Sequence, residues 1–548
     1  MDHLVSKLKK LEKQNYRAYQ TIKGQYDFED YQLYIDHVQG DPYASASRLR
    51  ATRAWSLTGL DWLQQRSETY QIAARDFIAR TFSDFAKQDN NLTIATTGQT
   101  VLDNSAVLFT EHGIELRFRV NLPAEGRNIL AKKALNILTF HLPKMIRKST
   151  IERELDKEAL ISHCETIENQ HALREQLNQQ NLTAFVSNGS ILPRSAGNCD
   201  LPMKDAVAFQ SPKELEVELE TPNNGKVKGM GIAKGITVIV GGGFHGKSTL
   251  LNAIERSIYN HIPGDGREGI VTNHDAMKIR AEDGRCVHAL NLSNYINHLP
   301  QNKSTESFST QDASGSTSQA AWLQESVESG VSTILIDEDT SATNFMIRDE
   351  RMQALVNKGD EPITPLVDRI DQLRDQQGIS TIIVMGGSGD YLDVADTVIQ
   401  MHDYQAVDVS EKAQEIIKLH PSQRVHENRD AFQTIQSRSL NAAALQKILA
   451  DGKFRVSAKG LTSLRFGKEF VDLTALEQLE SSNQVNAIGW LWFQLAQQPG
   501  WCNDPAEAIK SLLQGDWKAT MPAYGDLAKP RTIDVMATLN RMRKAQFR

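Results

Sequence analysis

Gly241-Gly-Gly-Phe-His-Gly-Lys-Ser248 fits the template G-x-x-x-x-G-K-[S/T] at every required position. The residues before it, Gly235-Ile-Thr-Val-Ile-Val240, form an apolar, β-branched run of buried-strand type. Those after it, Thr249-Leu-Leu-Asn-Ala-Ile-Glu-Arg256, have the composition of a helix. A strand, a glycine loop and a helix start together make a triphosphate site. Small residues let backbone N–H groups curl around a phosphate, and the helix N-terminus adds positive potential. The expected contacts to a nucleoside triphosphate here are Gly241, Gly242, Gly243, Phe244, His245, Gly246, Lys247, Ser248 and Thr249. Lys247 reaches the β/γ oxygens and Ser248 offers its hydroxyl to Mg2+. Gly241, Gly243 and Gly246 also fit the dinucleotide fingerprint G-x-G-x-x-G, but that pattern does not require Lys247-Ser248.

A phosphate loop needs a carboxylate strand to complete it. Ser332-Thr-Ile-Leu-Ile-Asp-Glu338 reads as a buried strand with Asp337 at its C-terminal end, where parallel sheets place their ligands. Asp337 is the expected Mg2+ ligand. Glu338 is the expected general base for the attacking water, with Lys247 acting on the phosphates. A further apolar strand, Ser380-Thr-Ile-Ile-Val-Met385, leads into Gly386-Gly-Ser-Gly-Asp390.

The segment Ser304–Ser318 is dominated by Ser and Thr, a composition that reads as a flexible linker. Inside it stands Asp312-Ala-Ser-Gly-Ser-Thr-Ser-Gln319, followed by the helix-like Ala320-Ala-Trp-Leu-Gln-Glu-Ser-Val-Glu328. A Ser-Gly loop opening a helix shortly before the acidic strand resembles the Leu-Ser-Gly-Gly-Gln signature of ABC-type ATPases. Ser314 and Gly315 match its Ser and first Gly; Ser316 replaces the second Gly, Thr317 the Gln and Ala313 the Leu. Ser341 and Ala342 match the family's D-loop. The position after Val384-Met385, where the family carries a switch His, holds none, so Ser388 or Asp390 stands in for it and slow hydrolysis is expected.

The chain is similar to a narrower group, the soluble "predicted ATPases of the ABC class", which lack permease domains. The resemblance is carried by Lys228-Gly-Met-Gly-Ile232, His261-Ile-Pro-Gly-Asp-Gly-Arg-Glu268, Asp337-Glu-Asp-Thr-Ser-Ala-Thr-Asn-Phe-Met346, Glu361-Pro-Ile-Thr-Pro365 and Gly386-Gly-Ser-Gly-Asp-Tyr391. It covers most of residues 20–405 and is weak beyond. It implies an α/β, ABC-type P-loop domain; the boundary signals near Pro202 to Pro212 and the helical pattern beyond Tyr404 divide the chain into an α+β N-terminal domain over 1–205, that P-loop domain over 206–404 and a mainly helical C-terminal domain over 405–548. The resemblance also implies a homodimer in which Ser314, Gly315 and Ser316 of one copy cap the ATP held by the other, giving an ATP-driven clamp.

Hydrophobic content of 40% and charged content of 24% are those of an ordinary globular chain. No run of 18 apolar residues predicts a transmembrane span, and the first residues lack the apolar core of a secretory signal. Cys164, Cys199, Cys286 and Cys502 stand far apart, which argues against zinc and disulfides and for a reducing cytoplasm. The net charge of −7 gives no global nucleic-acid signature. Local basic clusters do exist: Arg48, Arg50, Arg53, Arg66, Arg75 and Arg80; Lys144, Arg147 and Lys148; and Lys453, Arg455, Lys459, Arg465 and Lys468. Each is either a solvated face or a contact for RNA or DNA, RNA being favoured. Arg280, Arg285 and the segment His261–Glu268 are candidates for lining the nucleotide pocket, as are Phe209 and Tyr26 for stacking on adenine; turn, surface and core roles are the alternatives. Two functions stay open: an ATPase clamp on nucleic acid, and an ATP-dependent protein-interaction switch with little turnover.

Overall fold

The computed structural model describes residues 1–87, 91–299, 304–427, 430–433, 435–450 and 454–548; Lys453 of the C-terminal basic cluster lies outside them. The chain forms two compact units: Met1–Glu168 with Lys518–Lys529, and Asn169–Trp517 with Pro530–Arg548. Among the described residues no helix is long and apolar enough to cross a membrane.

The first unit is built on a six-stranded antiparallel sheet, with Gly113–Val120 pairing three others. Ser47–Ala54 alternates buried and half-buried residues, as a strand with one covered face must. Helix Glu68–Ala86 begins at Ser67, whose hydroxyl accepts the Tyr70 N–H at 3.2 Å.

The second unit carries the phosphate loop. Its main sheet runs Met277–Ile279, Thr333–Asp337, Ser380–Val384, Ile236–Val240, Thr397–His402, Gln405–Asp408. The first five strands are parallel, and the last returns antiparallel through a hairpin. Near-continuous Ile, Leu and Val in the central strands is what a sheet buried on both faces requires. Helix Lys247–Arg256 presses Leu250, Leu251 and Ile254 into a core with Ile239, Leu335, Ile382 and Ile399. A second sheet pairs Leu182–Ser187 with Gly225–Ala233 and Ile270–Thr272, so strands from both sides of residue 205 share it.

The Ser- and Thr-rich segment is not a linker. Phe308–Ala313 is a strand paired with Arg285–Leu290, and Gly315–Glu328 is a helix. Composition misleads here because cross-strand pairing stabilises Ser and Thr in a sheet that their sequence neighbours do not reveal. Beyond residue 405 helices dominate, and the three-stranded sheet Val456–Lys459, Ser463–Phe466, Glu469–Asp472 packs on helix Ser482–Gln497.

Candidate functional site

Strand register brings the two acidic and phosphate-loop motifs to one edge. Val384 stands opposite Asp337 on one side, and in the same strand it stands opposite Ile239 on the other. The strands bearing Asp337 and the phosphate loop therefore end level with each other, about 10 Å apart at two inter-strand spacings. Loops 241–246, 338–342 and 386–390 all leave the sheet at this C-terminal edge.

The phosphate loop has the form of an anion cradle. Helix Lys247–Arg256 starts at Gly246, which is left-handed (φ 97°) and offers no side-chain cap, so the first helical amides lack intrahelical partners. Gly241 also has positive φ, and a Cβ there would lie 2.4 Å from the Met401 carbonyl oxygen. The Lys247 ammonium folds across the loop and donates to the Gly241 and Gly242 carbonyls at 2.7 and 2.9 Å. Gly242, Gly243 and Ser248 are exposed, while Thr249 is half-buried. Open amides, a cation over the loop and glycines where a Cβ would intrude fit a polyphosphate.

The loop is also braced from the side. The Asp403 N–H donates to His245 Nδ1 at 2.9 Å, and the His402 ring stacks on His245 at 5.1 Å. Asp403 and Tyr404 form the turn of the last hairpin, both with positive φ. Phe244 is left-handed as well (φ 65°) and 98% exposed.

Asp337 is 7% exposed, and its Oδ1 accepts the Asp339 N–H at 3.2 Å. The Glu338 carboxylate takes two amides that motif reading did not foresee: Oε2 accepts from Gly386 at 2.5 Å and from Gly387 at 2.9 Å. Ser388 donates to Asp390 at 3.3 Å, and Ser422 donates to the other Asp390 oxygen at 2.7 Å. Asp337 and the Ser248 hydroxyl are the donors that fit Mg2+. That ion keeps several water and phosphate ligands and needs only one or two from protein.

Ser314 precedes helix Gly315–Glu328 and is exposed, with its hydroxyl 3.1 Å from Thr317 Oγ1. Gly315 is half-buried, and Ser316 is buried with its Oγ 3.4 Å from that of Ser314. The same helix is tied to the acidic loop through Gln319. Its amide donates to Ser341 Oγ at 2.9 Å and its carbonyl accepts the Ala342 N–H at 2.8 Å.

Other candidates are placed elsewhere. Arg285 is buried against Glu325, and Arg280 pairs with Glu477. Asp265 and Arg267 of the segment 261–268 are buried; Asp265 pairs with Arg194 and His261, and Arg267 donates to the Leu192 carbonyl. Phe209 is a core residue beside the phosphate-loop strand; Tyr26 is buried in the first unit. Most N-terminal arginines are neutralised: Arg50 by Asp36 and Glu115, Arg53 by Asp30, Arg75 by Asp103, Arg80 by Asp76. Arg66 stacks on Trp62 and Tyr70, and Arg48 on Tyr524. Arg147 and Lys148 share Glu154. Some of these partners lie far along the chain, as Glu115 does from Arg50; others are local, as Asp76 is for Arg80, one turn away on the same helix, and Glu154 for Arg147 and Lys148.

Comparison with known proteins agrees with these motifs. The family model ABC_ATPase, a P-loop domain, matches residues 156–438, just over half the chain. The model for the N-terminal part of ATPases of the ABC class matches residues 1–153, and that of the MRB1590 C-terminal domain matches 455–548. The uncharacterized protein MJ1628 of Methanocaldococcus jannaschii is 32% identical over 289 residues, 50% of this chain and 61% of its own length. The chain thus spans less than two thirds of that relative. Among solved structures, the ADP conformation of MJ1267, an ATP-binding cassette of an ABC transporter, aligns at 12% identity and TM-score 0.26, covering 44% of this chain and 96% of its own. A metal-chelate type ABC transporter in an inward-facing conformation aligns at 15% and 0.27, covering 43% and 86%. With the P-loop model matching just over half of the chain and the N-terminal model matching residues 1–153, the chain belongs to the P-loop ATPases of the ABC class.

Proposed function

We propose that the chain binds Mg-ATP at Gly241–Thr249 and hydrolyses it at a composite site, completed by Ser314, Gly315 and Ser316 of a second copy. The observation that carries this reading is the register placing Glu338 at the sheet edge from which the phosphate loop springs. ATP supplies the phosphoryl group; Ser248 and Asp337 would hold Mg2+, which would screen the charge of the phosphates. Lys247 turns from the loop carbonyls to the phosphate oxygens. Glu338, aimed by two amides, accepts the proton of the attacking water. Ser388, the residue after those amides, stands where the family carries its histidine and orients the terminal phosphate. The exposed Ser314 and the uncapped amides of its helix close over the same phosphate from the other copy.

Single-turnover hydrolysis of the parent against Glu338→Gln tests the enzyme reading. A general base supplies about 10²–10⁴-fold, so the variant falls by that factor. A parent no faster than the variant leaves only a binding switch. The use of backbone amides where a histidine is usual favours that second reading, in which ATP-dependent closure is itself the signal.

The load of the clamp is proposed to be nucleic acid, RNA first. Support comes from a cleft of about 510 Å³ whose lining includes Lys447, Lys468, Arg543 and Lys544, with Glu469 as its carboxylate. Backbone contact predicts binding that weakens steeply with salt. Filter binding of single-stranded RNA at two salt concentrations, with Lys447→Glu/Lys468→Glu beside the parent, decides it. Salt-insensitive or absent binding removes nucleic acid as the load. Four free cysteines support a reducing compartment as the place of action.

A further inference from the structure

The signature helix is gripped by the end of the chain. Arg541, with a side chain 2% exposed, donates through Nε and Nη2 to Glu282 Oε2 at 3.0 and 2.8 Å. Its guanidinium lies 4.1 Å from the ring centroid of Trp322, a residue of the signature helix. From Glu282 the connection continues inward. The Glu282 N–H donates to Ser318 Oγ at 2.8 Å, and that hydroxyl donates to the Gly315 carbonyl at 2.8 Å. Gly315 adjoins Ser314.

Two residues on, Arg543 donates to the carbonyls of Gln311 and Gly284. These lie at the end of the hairpin that delivers the chain to Ala313 and Ser314, where the Gly284 N–H donates to the Ala313 carbonyl at 2.8 Å. Behind them, His288 bonds the Met542 carbonyl at 3.2 Å and Cys286 donates to that of Asn540. The tail therefore holds the signature loop at both of its roots: the strand that enters it and the first turn of the helix that leaves it.

We infer that Arg541 is a positioning residue for the signature loop, fixing through Glu282 and Ser318 the direction in which Ser314 and Gly315 face a second copy. Arg541 touches no part of the phosphate loop; it acts on the half of the composite site that this copy supplies to its partner. A planar guanidinium both forks onto the carboxylate and stacks on the indole, which an ammonium does not reproduce. The inference rests on the composite-site reading above.

The test uses the full chain with Arg541→Ala, Arg541→Lys, Glu282→Ala and Glu282→Gln. Fluorescent ATP-analogue binding reports the phosphate loop, steady-state hydrolysis reports turnover, and ATP-dependent dimerisation is read in a Glu338→Gln background. Arg541→Ala and Glu282→Ala are expected to leave nucleotide Kd within about twofold, lower kcat by about tenfold or more and weaken dimerisation. Arg541→Lys falls between, and Glu282→Gln, which keeps an acceptor for the guanidinium, restores most of the turnover. A merely structural role predicts a lower Tm with kcat and dimerisation unchanged at permissive temperature, or nucleotide Kd rising in step with the fall in kcat; either result overturns the inference. If Glu338→Gln alone does not dimerise with ATP, the composite-site reading fails first. If it dimerises and Arg541→Ala makes no difference, only the positioning role is lost.

Discussion

The Glu338 carboxylate accepts the Gly387 amide N–H at 2.9 Å. The shared oxygen also takes the Gly386 amide, so the acid is aimed by the loop that follows the neighbouring strand. A Cβ on Gly387 would lie 3.1 Å from Glu338 Oε1. On the proposal that Glu338 is the general base, Gly387→Ala is expected to turn the carboxylate and lower kcat by about tenfold, a loss of orientation rather than of the base. Nucleotide Kd stays near the parent value. Unchanged kcat in Gly387→Ala would falsify the aiming role.

Phe244 carries a left-handed backbone that costs an L-residue roughly 1–2 kcal/mol, and its ring is 98% exposed. Phe244→Gly removes that strain without losing a packed side chain. Its stability by urea unfolding is expected to equal or exceed the parent's by up to about 1 kcal/mol, after glycine's own entropy cost. Phe244→Ile, β-branched, is expected to be less stable than the parent. A marked loss in the glycine variant contradicts this account.

Arg285 and Glu325 form an ion pair with side chains 1% and 2% exposed, one guanidinium nitrogen reaching both carboxylate oxygens. Removing one partner strands the other charge. Arg285→Ala is expected to cost about 3–5 kcal/mol, and the double variant Arg285→Met/Glu325→Leu much less. Denaturant midpoints of the single and double variants give the coupling, and additive losses would refute it.

His288 is 8% exposed, and burial pushes its pKa below the ordinary 6.5. The Met542 carbonyl and Glu325 oppose that shift, whereas Arg438 and Arg285 reinforce it. A folded pKa below the unfolded one means the unfolded chain binds the proton first. This contribution to stability is complete above pH 6.5 and is lost as pH falls through the folded pKa. Tm is expected to drop between pH 7 and the mildly acidic range, and less steeply in His288→Gln, which keeps a donor for Met542. Parallel curves for the two proteins count against His288 as a source of the acid sensitivity.

The strands Ile236–Val240, Thr333–Asp337 and Ser380–Val384 were legible because a buried parallel strand must be almost wholly apolar. The phosphate loop was legible because its glycines and Lys247 answer to local geometry. The strand Phe308–Ala313 was not, since what makes it a strand is Arg285–Leu290, some twenty residues earlier. The arginine clusters left a solvated face and a nucleic-acid contact both open, because adjacency in sequence marks charge, while the carboxylates that pair with it lie elsewhere for Arg50, Arg53 and Arg75 and one turn away on the same helix for Arg80.

By itself the sequence determined the nucleotide chemistry, because Gly241–Ser248 and Asp337–Glu338 each need only contiguous residues to specify a loop and a strand end. Only the tertiary structure decided how those pieces are held. Glu338 is aimed by amides from residues 386 and 387, His245 is braced by the turn at Asp403, and the signature helix is gripped by Arg541. Those contacts join segments tens to hundreds of residues apart. Hydrogen bonds and ion pairs act over a few ångströms in space, and no local pattern records which distant group folding will bring within that reach.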